Sequence, residues 1–233
     1  MSSFKKIHTR ALERKGGPKA LAAWLPELKS KAQLSRIPDH RYLAEMARCV
    51  FQAGFVWRVI DQKWPGFEAA FFGFKPDKLI LMAPEQWEAI GRDTRVVRNM
   101  QKIMSVARNA QFILDVAQEH GSFAKLVANW PQDDLIGLLE FMKKNGDRLG
   151  GVTGMRILRN MGKDSFVLSQ DVLVCLKGAG ADIDKGTSKR ELKLIQQTFN
   201  QWHAESGLPY SHLSRICSCS VGENYNVEAF DDA

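Results

Sequence analysis

The chain has 233 residues, 45% hydrophobic and 25% charged, enough for one large or two small globular domains with sizeable cores. Lys and Arg number 33 against 26 Asp and Glu, and the net charge of +7 suits a polyanionic partner. No apolar run is long enough to span a bilayer, and the basic start Met1-Ser2-Ser3-Phe4-Lys5-Lys6 is not followed by the apolar stretch of a secretory signal. A cytoplasmic protein without membrane contact is expected. Cys49, Cys175, Cys217 and Cys219 form no spaced framework and read as reduced thiols.

In chain order, residues 4–14 and 18–28 read as two helices broken by Gly16-Gly17, the first of them basic. Residues 30–38 read as a connector. Asp39 is placed to cap a helix running to about Ala53. The apolar run 51–60 is interrupted by Gly54, so a second helix should enter near Val56. Trp64-Pro65-Gly66-Phe67 and Phe74-Lys75-Pro76-Asp77 read as turns, and Ala83-Pro84-Glu85 starts a further helix. Met100, Ile103, Ala107, Ala110, Leu114 and Ala117 recur at steps of three and four, predicting a long amphipathic helix that Gly121 ends. A short helix follows over 122–129. Another spans 133–144, with Leu135, Ile136, Leu138, Leu139 and Met142 as its apolar face. A helix over 155–161 follows a glycine-rich turn. Beyond the polar loop 178–187, helices are expected over 188–205, on Leu192, Ile195, Phe199 and Trp202, and over 211–219. Neither a strand nor an internal repeat is legible, so the fold class is all-α.

The chemistry concentrates in a few places. Gly150, Gly151, Thr153 and Gly154 precede a helix start, whose free N–H groups and positive dipole end suit a phosphate; the plain alternative is a helix–turn–helix corner. Arg98 and Lys102 open the long helix and could touch phosphates, with Asn99 a candidate cap. Asp171 stands at the head of an apolar helix, either as its cap, with Ser169 as rival, or as a carboxylate for chemistry. Phe55, Trp57 and Trp64 offer flat rings for a pocket or simply fill a core. Gln52 could offer its amide to a ligand or satisfy buried backbone. His212, Cys217 and Cys219 lack an evident fourth ligand and read as buried residues of a terminal helix.

Three groups of residues carry a resemblance. Phe51-Gln52-Ala53-Gly54-Phe55-Val56-Trp57, Phe67-Glu68-Ala69-Ala70-Phe71 with Gly73-Phe74, and Val97-Arg98-Asn99 with Lys102-Ile103 and Asn109-Ala110 resemble the DNA-3-methyladenine glycosylase I family. Gly121-Ser122-Phe123 extends the likeness, and the hairpin Leu149 to Gly154 stands where the helix-hairpin-helix glycosylase superfamily has one. The resemblance covers roughly residues 39–175. It implies an all-α, two-lobed helix-hairpin-helix fold, with a base pocket between the lobes and DNA held by the hairpin. Three segments are expected: an N-terminal helical extension packed on the core (1–38), the helix-hairpin-helix glycosylase domain (39–222) and a tail (223–233) whose acidic, weakly patterned sequence reads as mobile.

The chain departs from that family in three ways. The usual acidic residue, three positions before the motif Gln, is Cys49, which opens the question of the exact lesion. The family's zinc site needs an N-terminal Cys and His and a C-terminal His-x-x-x-Cys. This chain has no Cys before Cys49, and His212 to Cys217 has a longer gap, so no metal and no other cofactor is expected. Asp171 fits the wider superfamily, in which a carboxylate stabilises the sugar cation left by the departing base.

The function implied is a monofunctional DNA glycosylase acting as a monomer on double-stranded DNA containing alkylated bases, above all 3-methyladenine. Its catalytic residue would be Asp171. Cys49, Gln52, Phe55, Trp57 and Trp64 would form its base pocket, and Gly150, Gly151, Thr153, Gly154, Arg98 and Lys102 its DNA contacts. Met155 occupies the position where bifunctional relatives carry a nucleophilic Lys, and Lys163 lies well beyond it. The rival readings are a non-enzymatic relative that holds damaged or bent DNA and a glycosylase for another lesion.

Overall fold

The computed structural model describes residues 3–222; the acidic tail anticipated at 223–233 lies outside them. Among the described residues the chain forms α-helices and one 3-10 turn and no strand, as the all-α reading anticipates. In order, the helices are α1 (Phe4–Lys15), α2 (Pro18–Ala22), α3 (Lys31–Ser35), α4 (Asp39–Gln52) and α5 (Trp57–Ala70). After the 3-10 turn Phe72–Phe74 come α6 (Pro76–Leu79), α7 (Pro84–Arg92), α8 (Met100–His120) and α9 (Phe123–Asn129). Then follow α10 (Leu135–Asn145), α11 (Gly151–Asn160), α12 (Gln170–Gly178), α13 (Lys189–Ser206) and α14 (Tyr210–Ser220).

The chain divides into two compact units. One comprises Met1–Leu28, Pro131–Gly137 and Asp164–Ala233, so both ends of the chain contribute to it. Within it α1 packs on α14 and α13, and α14 packs on α12. Its core holds Phe4, Phe166, Phe199, Trp202 and Leu213, with the Phe166 and Phe199 rings stacked at 4.5 Å. Residues 23–28 do not continue α2 as the sequence suggested. Pro26 bars the helix, and side chains of α14 take the carbonyls instead: Arg215 Nε donates to Trp24 at 3.0 Å, and His212 Nε2 lies 3.0 Å from the Pro26 carbonyl.

The other unit comprises Lys29–Trp130 and Leu138–Lys163. Here α4 is the central helix, packed on α8, α9, α11 and α5. Four local expectations change here. Residues 30–38 are not a bare connector, because Ser30 and Gln33 form a capping box that starts α3. Asp39 does not cap its own helix. It is the first helical residue, and its carboxylate accepts from the Phe123 and Ala124 N–H groups at 2.9 and 3.0 Å, so it caps α9. Trp64-Pro65-Gly66-Phe67 is not a turn but lies inside α5. Trp64, Phe67 and Phe71 recur on one helix face, and their stacking, 5.4 Å and 6.1 Å between successive centroids, outweighs the hydrogen bond Pro65 cannot donate. Finally, the buried stripe of α8 is rotated from the one anticipated. Ile103, Val106, Ala110, Ile113 and Val116 are buried, while Met100 is exposed.

The hairpin between α10 and α11 is tied down by one buried amide. Asn109 Nδ2 donates to the Asp147 carbonyl at 3.0 Å, and Asp147 N–H donates to Asn109 Oδ1 at 2.7 Å. Arg108 adds a 2.7 Å ion pair to the Asp147 carboxylate. Gly154 meets the Leu149 carbonyl so closely that a Cβ there would collide with backbone. The glycines thus divide their work: Gly150 is the N-cap and Gly151 the first residue of α11, so the helix starts four residues earlier than anticipated.

Candidate active site

The hairpin side of the Lys29–Lys163 unit presents an unfilled helix start. Gly150 brings no side chain to cap α11, which leaves the N–H groups of its first turn to an outside acceptor. A cavity of about 320 Å³ opens beside it, lined by Val50, Ala53, Lys102, Arg148, Gly150 and Thr153. Arg148 is exposed, and its guanidinium donates to Gln101 at 2.8 Å. Lys102 is less free than the sequence implied. Its ammonium donates to the Phe51 and Ala53 carbonyls at 3.1 and 2.7 Å, closing the C-terminal end of α4. Burial, and then the Arg148 charge, push its pKa down. Asn99 caps α8 through a 3.1 Å bond from Lys102 N–H, and Arg98 stands exposed just before it. Gly150, Thr153, Lys102 and Arg148 therefore share one surface, and Arg148 is the member that the sequence reading missed.

The residues anticipated for a base pocket lie on α4, on α5 and in the turn between them. Phe55 and Trp57 are 44% and 47% exposed, which is unusual for rings this large and rules out core filling for both. The Arg156 guanidinium, on α11, lies 4.3 Å from the Trp57 ring centroid. Trp64 is placed differently. It stacks against Phe67 and Phe74, each at 5.4 Å, and its Nε1 donates to Glu68 at 3.1 Å. Gln52 donates to Asp61 at 3.3 Å, and Arg48 pairs with the same carboxylate oxygen at 2.6 Å.

Cys49 is buried one helical turn beyond Glu45. Its Sγ donates to Glu45 Oε1 at 3.2 Å, and Asn160 Nδ2 donates to the same oxygen at 2.7 Å. Burial foremost, and the neighbouring Glu45 carboxylate second, push the thiol pKa far up, so Cys49 is a neutral donor. Glu45 and Asn160 were not singled out in the sequence; the signal available was a carboxylate four residues before Cys49, on the same helix face.

Asp171 belongs to the other unit, in the first turn of α12. The cap it was a candidate for falls to Ser169, whose hydroxyl accepts from Val172 N–H at 3.4 Å. Among the described residues Asp171 makes no hydrogen bond or ion pair. Its carboxylate is partly buried against the backbone of Gly222, where an added Cβ would stand 2.8 Å from Oδ1. Lys163, buried, directs its ammonium to the Trp130 carbonyl at 3.1 Å, and Met155 is buried in α11. The four cysteines are free thiols. No helix among the described residues is long and apolar enough to cross a membrane.

Comparison with known proteins agrees with the motif reading. Residues 36–138 match the family model described as methyladenine glycosylase. Among solved structures, the chain is similar to 3-methyladenine DNA glycosylase I from Staphylococcus aureus, at 23% identity and TM-score 0.48, over 53% of this chain and 76% of that one. It is also similar to the 8-oxoguanine DNA glycosylase of Methanocaldococcus jannaschii, at 16% identity and TM-score 0.57, over 95% of this chain and 94% of that one. The second likeness extends the helical DNA glycosylase fold over almost the whole chain.

Proposed function

We infer that this chain, whose residues 36–138 match the family model described as methyladenine glycosylase, works as a monofunctional DNA glycosylase that releases alkylated purines, 3-methyladenine first among them. The observation that carries the substrate class is the Trp57 ring. It is half exposed and already holds a planar cation, the Arg156 guanidinium, against its face. A purine methylated at a ring nitrogen is also a planar cation while it remains attached to the sugar.

The reaction begins with extrusion of the damaged nucleotide, because the glycosidic bond is inaccessible in stacked duplex. The uncapped start of α11, with Arg148 beside it, suits the phosphates of the deformed strand, and exposed Arg98 of the same unit is assigned to the same task. Trp57 and Phe55 supply flat surfaces for the base. Departure of the base leaves positive charge on the sugar, and Asp171 is the carboxylate assigned to stabilise it and to orient water. That it caps no helix and pairs with no group among the described residues supports that role. A cationic base is a good leaving group, so one carboxylate suffices. The reaction is hydrolytic because the amine nearest in sequence to the hairpin helix, Lys163, is buried on a carbonyl, and Met155 offers no nucleophile.

The test is to incubate the protein with methylated duplex DNA and separate the released bases. The expected product is free 3-methyladenine, with the strand left intact until alkali cleaves it. Strand cleavage with a borohydride-trapped adduct would point to a lyase, and tight lesion binding without base release to a non-enzymatic damage binder.

A further inference from the structure

We propose that Cys175 is an oxidation site for hydrogen peroxide. Peroxide entering the cavity between α1, α12 and the end of α14 converts its thiol to a sulfenic acid, and Cys217 resolves that acid to a disulfide joining α12 to α14. The inference does not depend on the glycosylase reading above.

The three helices belong to one unit and border a cavity of about 220 Å³, whose lining includes Lys6, Arg10, Val174, Cys175, Ser220 and Val221. Cys175 is only 5% exposed, so what reaches it must be small enough to enter the cavity. A water molecule occupies about 30 Å³ in the liquid, so hydrogen peroxide, with its two oxygens, has room. Three groups converge on the sulfur. Ser220 Oγ lies 3.6 Å from Cys175 Sγ and donates to the Cys217 carbonyl at 2.8 Å, so one hydroxyl touches both cysteines. The Cys217 thiol, itself fully buried, donates to Cys175. Arg10, exposed with Lys6 on the α1 side of the cavity, brings its positive charge within electrostatic reach.

These contacts divide the labour between the thiols. The hydrogen bond from Cys217 is the largest influence on Cys175 and outweighs burial; with Ser220 and the Arg10 charge it draws the Cys175 pKa below its ordinary value. Burial foremost, then the bond given to Cys175, push the Cys217 pKa well up. Cys175 is therefore the thiolate that attacks, and Cys217 the thiol that follows. Burial foremost also pushes Cys49 and Cys219 up, which sets Cys175 apart from both. Attack on one peroxide oxygen forms an S–O bond and breaks O–O. The leaving hydroxide, stabilised by the Arg10 charge, takes up the proton that Cys175 released and departs as water. The Cys217 sulfur then attacks the Cys175 sulfur, forming S–S and breaking S–O, and the sulfenic hydroxyl leaves as water with the Cys217 proton. Both thiols are oxidised and the peroxide is reduced.

The test treats the reduced full-length chain with hydrogen peroxide over a time course and blocks the remaining thiols with N-ethylmaleimide in denaturant. Peptides are then mapped by mass spectrometry, with fragmentation that separates Cys217 from Cys219. The expected result is a Cys175–Cys217 disulfide that forms before Cys49 or Cys219 is modified and that dithiothreitol reverses. Cys217→Ser, whose hydroxyl can still donate to Cys175, should form no disulfide and carry Cys175 on to sulfenic and sulfinic acids. Cys175→Ser should leave Cys217 reduced over the same time course. Earlier modification of Cys49 or Cys219, a disulfide to Cys219 in place of Cys217, or an unmodified Cys175 at peroxide doses that oxidise free cysteine would overturn the proposal.

Discussion

Among the helix starts that carry an aspartate in their first turn, two are used in opposite ways. Asp39, at the head of α4, gives both carboxylate oxygens to backbone N–H groups of α9. Asp171, at the head of α12, leaves the cap to Ser169 and bonds to no described residue. The contrast teaches that a carboxylate at a helix start is not thereby a structural residue. What decides is whether backbone donors reach it. Around Asp39 the unit spends polar side chains on backbone: Asn109 on the hairpin and Lys102 on the end of α4 do the same. Asp171 is held in reserve, against Gly222.

Four substitutions sharpen or break that contrast through stability, measured by thermal or denaturant unfolding. Asn109→Ala should cost the most, about 3 kcal/mol, because it strands a buried N–H and C=O of Asp147 and opens a cavity. A loss under about 1 kcal/mol would mean the hairpin does not depend on that amide. Asp39→Ala should cost about 2 kcal/mol, since two N–H groups lose a charged acceptor; an unchanged midpoint would remove the structural half of the comparison. Ser169→Ala should cost about 1 kcal/mol as a lost N-cap. If it cost nothing while Asp171→Ala destabilised, Asp171 would be the cap after all. Asp171→Asn should do least, within about 0.5 kcal/mol of wild type, because no bond among the described residues is broken.

The fold class and most helices were legible because capping residues and apolar periodicity are local. Ser122, Asn99 and Gly121 mark their helix ends in the sequence as they do in the structure. The failures share a cause, which is partners distant in the chain. Nothing near Asp39 announces that its carboxylate serves α9. Pro65 is the exception, because the rings that carry the helix through it, Trp64, Phe67 and Phe71, stand close in sequence and the proline was weighed above them. At the site, Trp57 and Phe55 could be singled out by type, but Trp64, of the same type, is drawn into the Phe67–Phe74 stack. Glu45 showed only as a carboxylate one helical turn before Cys49, while its other partner, Asn160, lies more than a hundred residues away. Arg148 was hidden in the same way until the hairpin placed it beside Lys102.

Asp171→Asn, the substitution expected to disturb the fold least, should disturb the chemistry most. Asn keeps the size of the side chain but supplies no negative charge to the developing sugar cation. Losing one such contact costs on the order of a hundredfold in rate, and less for a cationic leaving base than for a neutral one. The decisive measurement is single-turnover base excision by folded Asp171→Asn on 3-methyladenine and on a neutral lesion, with DNA binding measured alongside. A large loss of excision with binding intact, greater for the neutral lesion, is the predicted result; wild-type rates on every lesion the parent protein removes would contradict it.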